Sequence, residues 1–191
     1  MRSLLPAMAL CLGALAAARA AEPPASEQGL IRYSPPSRMF ACEIPAAWGS
    51  FEQTTPTGRS VHVVGPALKG GTWRAAYHVH YREKGKAGFV SMRQAIKNAR
   101  HKDATSERES TSATTRRVGK KLAQVFEVRE KRMLPTDLLP AALTDLHHFY
   151  AVVGAGGEDY IVIKLSVTED VYLEYRPEFL RFLGSFTVIG Y

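Results

Sequence analysis

The chain has 191 residues, 25 lysines and arginines against 18 acids, a formal charge of +7 and 46% hydrophobic residues. That length allows one domain with a proper core, and after the N-terminal stretch no hydrophobic run is long enough to span a bilayer. The basic balance permits acidic partners or anionic lipid without demanding either, because net charge also keeps a protein soluble.

The first twenty residues read as a cleaved signal peptide. Arg2 supplies the positive start, Leu4 to Ala18 form an apolar run broken only by Pro6 and Gly13, and Ala18-Arg19-Ala20 fits a small-x-small cleavage site. The expected mature start is Ala21, and the expected location is periplasmic or secreted. Leu10 before Cys11 does not fit a lipoprotein signal, and no twin-arginine pair is present, so the general secretory route is expected. Removing 20 of 191 residues leaves 171; Arg2 and Arg19 leave with them, so the mature charge is +5. Cys42 then has no partner for an intramolecular disulfide. Among Met39, Phe40 and Ile44 it reads as a small buried hydrophobe.

Residues 21–37, with Pro23, Pro24, Pro35 and Pro36, read as an extended lead-in to a single domain over 38–191. Met39–Ile44 is the first predicted strand and Ser60–Val64 the next, ended by Gly65-Pro66. Lys69-Gly70-Gly71 turns the chain into Trp73–Arg82, where Trp73, Ala75, Tyr77, Val79 and Tyr81 alternate with Arg74, Ala76, His78, His80 and Arg82. Ser91 and Gln94 form a capping box, followed by Met92, Ala95, Ile96 and Ala99 at helical spacing. Strands are expected near Glu109–Arg117 and Lys121–Lys131, joined at Gly119, with Leu122, Phe126 and Val128 facing the core and Gln124 as the exception. After a break at Leu134–Pro140, whose three leucines suit a tuck under the sheet edge or a small docking patch, strands near Leu143–Val153 and Tyr160–Val167 bracket the turn Gly154–Gly157. A last helix is expected after Pro177, burying Phe179, Phe182, Leu183 and Phe186. Antiparallel strands with two amphipathic helices make an α+β domain, a twisted sheet flanked by helices.

The strand closing on Pro45 and followed by Trp48, read from Phe40 to Trp48, resembles the Phe-x-x-x-Pro-x-x-Trp opening of PsbP-like proteins, one residue longer here. A mid-chain helix, long hairpins and a closing helix ending in Ser185-Phe186 are similar to the same group over about residues 33–189. That group holds an extrinsic photosystem II protein, the Ran-binding Mog proteins and exported bacterial proteins of unknown role. The resemblance implies an α/β/α sandwich that docks to other macromolecules, with no catalytic residue to carry over. The secretory N-terminus departs from the photosynthetic and nuclear members.

Chemistry-bearing clusters are few. His78 and His80 share one strand face, where two imidazoles can reach one metal, and His62, His147 and His148 offer further nitrogens. No Cys-x-x-Cys or His-x-x-x-His accompanies them, so a metal site or small exported enzyme at His78 and His80 is the alternative reading. No Gly-x-Ser-x-Gly elbow is present, and Gly154–Gly157 leads into a strand rather than a phosphate-cradling helix. Arg116, Arg117, Lys120 and Lys121 crowd one hairpin tip, and Arg93, Lys97 and Arg100 line the first helix without acids between them. The two strips are either solvated faces or a surface for a protein or anionic envelope component. Export and the lack of interleaved aromatics argue against nucleic acid. The expectation is a non-catalytic binding domain without a cofactor.

Overall fold

Strict alternation in Trp73–Arg82 gives that strand one fully buried face and one half-buried face. The structure, a computed structural model, describes residues 29–101, 107–136 and 140–189. The expected signal peptide, the lead-in up to residue 28, and Leu138 and Leu139 lie outside the described residues. In chain order the elements are β1 (Leu30–Tyr33), β2 (Phe40–Pro45), β3 (Gly49–Thr55), β4 (Gly58–Leu68), β5 (Trp73–Arg82), α1 (Met92–Arg100), β6 (Arg108–Ser110), β7 (Thr114–Val118), β8 (Lys121–Leu134), β9 (Ala142–Gly156), β10 (Asp159–Thr168), α2 (Tyr172–Ser185) and β11 (Thr187–Val188). The main sheet runs β3-β4-β5-β10-β9-β8-β6, with β7 also on β8, and its pairs are antiparallel. A small sheet, β1-β2-β11, packs with α2.

Each face of the main sheet carries one helix. On one side Tyr77, Val79, Ile161, Ile163, Leu165, Ala151 and Val153 meet Tyr175, Phe179, Phe182 and Phe186, all buried. Burying an aromatic of this size is worth roughly 1.5–3 kcal/mol, so these phenylalanines anchor α2. Trp48 lies 4.6 Å from the Tyr77 ring and flat against Gly65, where a Cβ would meet the indole at 2.5 Å. On the other side the α1 stripe Met92, Ala95, Ile96 and Ala99 is partly buried against Phe126, Val128, Val152 and Tyr160. This is an α+β sandwich.

Several local expectations change. Pro177 does not open α2 but sits inside it; a short 3-10 turn at Glu169–Val171 starts the helix early, and burial of Tyr172 and Tyr175 outweighs the backbone hydrogen bond that proline cannot donate. The strand expected over Glu109–Arg117 is two pieces, β6 and β7, both paired to β8. Leu122 lies on the Phe126 side of β8 but is 67% exposed, because the packing partners of α1 begin at Phe126. The Ser91 hydroxyl accepts from the Gln94 amide at 3.3 Å, yet the Gln94 side chain donates to Asn98 instead of closing the box. Leu134 is buried. Cys42 is buried too, and burial pushes its thiol up to about 12, which leaves it inert at neutral pH.

Candidate functional site

Cross-strand register decides which polar side chains meet. One row across the α1 face of the sheet reads Phe51, His62, His78, Lys164, Tyr150 and Phe126, on β3, β4, β5, β10, β9 and β8. The next row reads Gln53, Ser60, His80, Val162 and Val152. The α1 stripe packs on the β8, β9 and β10 members of this face, leaving the histidines of β4 and β5 outside it and half-buried.

The hydrogen-bond contacts restrict the tautomers of these rings. Nδ1 of His62 lies 2.8 Å from Nδ1 of His78, and the Gln53 amide nitrogen lies 3.1 Å from Nε2 of His62. If the amide donates to Nε2, His62 carries its proton on Nδ1 and donates to His78, which then carries its own on Nε2. Ser60 Oγ lies 2.7 Å from Nδ1 of His80, so a donating hydroxyl places the His80 proton on Nε2 as well. The two rings are near-parallel, 5° apart with centroids at 6.1 Å. The Phe51 ring, half exposed, stacks on His62 at 4.8 Å.

Burial, aided by Lys164, holds His78 down to about 2. Burial with Arg82 and Lys164 holds His80 down to about 3. Both rings are neutral at pH 7. Burial also drags Lys164 down to about 8, against a pull from Glu130. Its ammonium stands 5.9 Å from the Tyr150 ring centroid and has no carboxylate in ion-pair range among the described residues. Glu130 is already shared: His148 Nε2 at 3.1 Å, Arg132 at 2.7 Å and Arg108 at 3.5 Å surround it. Although burial pushes this carboxyl up, His148 and the arginines hold it down to about 2.

His147 and His148 part company, because neighbours on a strand face opposite ways. His148 meets Glu130 on the α1 side, whereas His147 stacks on Tyr172 of α2 and lies 3.2 Å from Glu127. The histidine set expected around His78 and His80 is therefore His62, His78 and His80, with His148 further along. Among the described residues, no group of three or more His, Cys, Asp or Glu side chains is arranged to hold a metal ion. The sequence pattern pointed to His78 and His80; Lys164 was missed, since one lysine in the apolar run Tyr160–Val167 reads as an ordinary outward position.

The basic strips sit elsewhere on the molecule. Arg93 lines a cleft of about 260 Å³ with Gly154, Gly157 and Asp159, and the Lys121 ammonium donates to the Gly154 carbonyl at 3.0 Å. Helix and hairpin tip thus meet at one edge. The register puts Arg117 beside Leu122 and Arg116 beside Ala123, so the two arginines face opposite sides. Lys121 and Arg100 are partly used internally, Arg100 on the Thr111 carbonyl. Arg93, Lys97, Arg116, Arg117 and Lys120 are exposed and form no ion pair among the described residues. Their acidic neighbours Glu158 and Asp159 are engaged by Lys84 and Tyr81. Gly119 locks the tip in place, its amide bonded to the Leu183 carbonyl at 3.0 Å in a left-handed conformation with φ of 53°.

No protein-family model matches the chain, and no curated protein matches it. Among solved structures it is similar to the cyanobacterial PsbP (CyanoP) of Synechocystis, at a TM-score of 0.50 and 15% identity over 84% of this chain and 92% of that one. The fold is PsbP-like. It is also similar to a Pseudomonas aeruginosa protein of unknown function, at a TM-score of 0.50 and 11% identity over 85% and 97% of the two chains. At such identities the likeness concerns fold alone. Within this PsbP-like sandwich, the histidine face and the basic edge both carry polar groups that have no partner among the described residues. Among the described residues no helix is long and apolar enough to cross a membrane.

Proposed function

We propose that the chain is an exported, non-catalytic docking domain that binds an acidic protein of the cell envelope through its basic edge. Export rests on the signal-type residues 1–20, with a mature chain from Ala21 and one domain following the lead-in. The observation that carries the docking reading is Leu122, 67% exposed, directly opposite Arg117, with Lys120 in the adjoining turn and Arg93 and Lys97 on the neighbouring helix, none of them ion-paired among the described residues. An exposed leucine beside a cation suits an acidic surface: the charges of this edge steer encounter and set orientation, and the leucine adds buried area.

The test is site-directed cross-linking from Leu122 in the organism's own envelope, comparing the natural chain with Arg117→Glu and Lys97→Glu together. The expected result is a discrete protein adduct that disappears with charge reversal, on a chain whose mass begins at Ala21. An adduct indifferent to both substitutions removes this edge from the reading. Binding to anionic vesicles with no protein adduct replaces the acidic protein by lipid.

A further inference from the structure

The face that α1 leaves open presents three nitrogen donors that no acceptor among the described residues takes up. With Gln53 donating into the relay and the Ser60 hydroxyl donating to His80, His62 spends its Nδ1 proton on His78 and Nδ1 of His80 is an acceptor. Both β5 rings are then left with an Nε2–H that has no partner among the described residues. Lys164, paired across the strands with His78, adds an ammonium equally without an acceptor. Glu130, the carboxylate that pulls on Lys164, is divided among His148, Arg132 and Arg108. Arg82, next on the β5 side of the same face, is another cation. Neither the two Nε2 atoms nor the Lys164 ammonium is among the fully buried side-chain atoms without a partner, so all three stand at a half-buried surface that an incoming oxygen acceptor can reach.

We propose that this face binds a free oxyanion, a carboxylate or phosphate group, held between the Nε2–H groups of His78 and His80 and the ammonium of Lys164. Two acceptor oxygens, each taking an N–H at about 2.9 Å, bridge rings whose centroids are 6.1 Å apart. The ammonium supplies the charge that neutral imidazoles lack, and in a half-buried setting a charge-assisted bond is about twice as strong as a neutral one. Phe51 walls one side over His62 and Tyr150 the other beside Lys164. A metal is a poorer occupant, because the Nδ1 atoms are turned on one another and on Ser60, and the neighbouring lysine repels cations. The inference does not depend on the docking edge, whose cations stand on α1 and around the β7–β8 turn.

The experiment titrates the full mature chain with inorganic phosphate and, separately, with acetate, at constant ionic strength against chloride, while following the ring resonances of the histidines by NMR. Saturable shifts of His78 and His80 are expected, with Lys164→Met weakening the fitted affinity at least about ten-fold and His80→Gln weakening it less. Response to phosphate alone assigns a phosphate group, and response to both assigns oxyanions generally. Arg117→Glu should leave the titration unchanged. Absence of a saturable shift with either anion overturns the proposal, as does an undiminished response in Lys164→Met. Loss of the response in Arg117→Glu moves the anion to the basic edge and overturns it equally.

Discussion

The two faces of the main sheet are built from alternate residues of the same strands, yet they are held together by different chemistry. Toward α2, β5 contributes Ala75, Tyr77 and Val79, and β10 contributes Ile161, Ile163 and Leu165, all fully buried. Toward α1, the same strands contribute His78, His80, Lys164 and Ser166, and none of the α1 side chains is fully buried. A dry aromatic face gains free energy with every group it covers, whereas a polar face must find a hydrogen-bond partner for each group it removes from water. The first face carries the stability of the domain, which leaves the second free to keep residues that do not help it fold.

That division can be broken most forcefully at Phe179. Its ring is fully buried between Tyr77 at 5.2 Å, Phe149 at 5.6 Å and Phe182 at 5.7 Å. Phe179→Ala should cost about 3–5 kcal/mol in urea unfolding, and Ile96→Ala on the half-buried α1 stripe clearly less. Equal losses would mean that the faces share the load. Gly119→Ala probes the same side from the hairpin: a Cβ there would stand 1.8 Å from the Phe186 carbonyl oxygen. Strain and overpacking together should cost about 2–3 kcal/mol.

Acid should act on the other face. His78, His80 and His148 are held to about 2, 3 and 4, below the ordinary 6.5, chiefly by burial. Above pH 6.5 both folded and unfolded chains leave them neutral, and no stability depends on them. As pH falls below 6.5 the unfolded chain takes up protons that the folded chain refuses, so stability drops by up to about 1.4 kcal/mol per pH unit for each histidine until the folded value is reached. Lys164 and Arg82 oppose protonation and Glu130 favours it at His148. The urea midpoint should therefore decline between pH 6.5 and 4.5, and His78→Gln with His80→Gln should flatten that decline. A pH-independent midpoint in the natural chain would show that these rings are not kept neutral by the fold.

Lys164 sharpens the contrast with the opposite sign. Its folded value of about 8 lies below the ordinary 10.5, so its charged form is disfavoured by folding at neutral pH, and the penalty is relieved as pH rises from 8 to 10.5. Lys164→Met should raise stability by about 1–2 kcal/mol at pH 7, allowing for its partial exposure. The gain should shrink in phosphate if an oxyanion offsets the penalty. A destabilised Lys164→Met would mean that the stem packs better than the ammonium hurts.

How far the sequence showed this is best judged from particular residues. The alternation of Trp73–Arg82 showed both faces of β5, because a strand of period two with one fully buried and one half-buried face separates aromatics from histidines. The aromatic spacing of Phe179, Phe182 and Phe186 gave the face of α2 but not its start, since nothing local announces that Tyr172 and Tyr175 are buried upstream of Pro177. β3, with the sequence Gly49-Ser-Phe-Glu-Gln-Thr-Thr55, carries no apolar alternation, because an edge strand needs no buried row. The same holds for the histidine face. His62 meets His78 across the β4–β5 hairpin, but Lys164 and Glu130 join them only through the pairing of β5 with β10, strands far apart in sequence whose neighbourhood no local pattern announces.

The smallest expected effect is the one that separates the basic edge from both faces. Arg117→Ala and Lys97→Ala remove exposed side chains that make no ion pair among the described residues, so each should change unfolding stability by less than about 0.5 kcal/mol. Residues that neither fold the chain nor neutralise a neighbour are free to serve a partner. Weakened partner cross-linking at unchanged stability would place their role in docking. A clear loss of stability in either variant would instead tie the edge to the fold, since an exposed unpaired cation contributes to stability only by packing its stem against apolar surface such as Leu122.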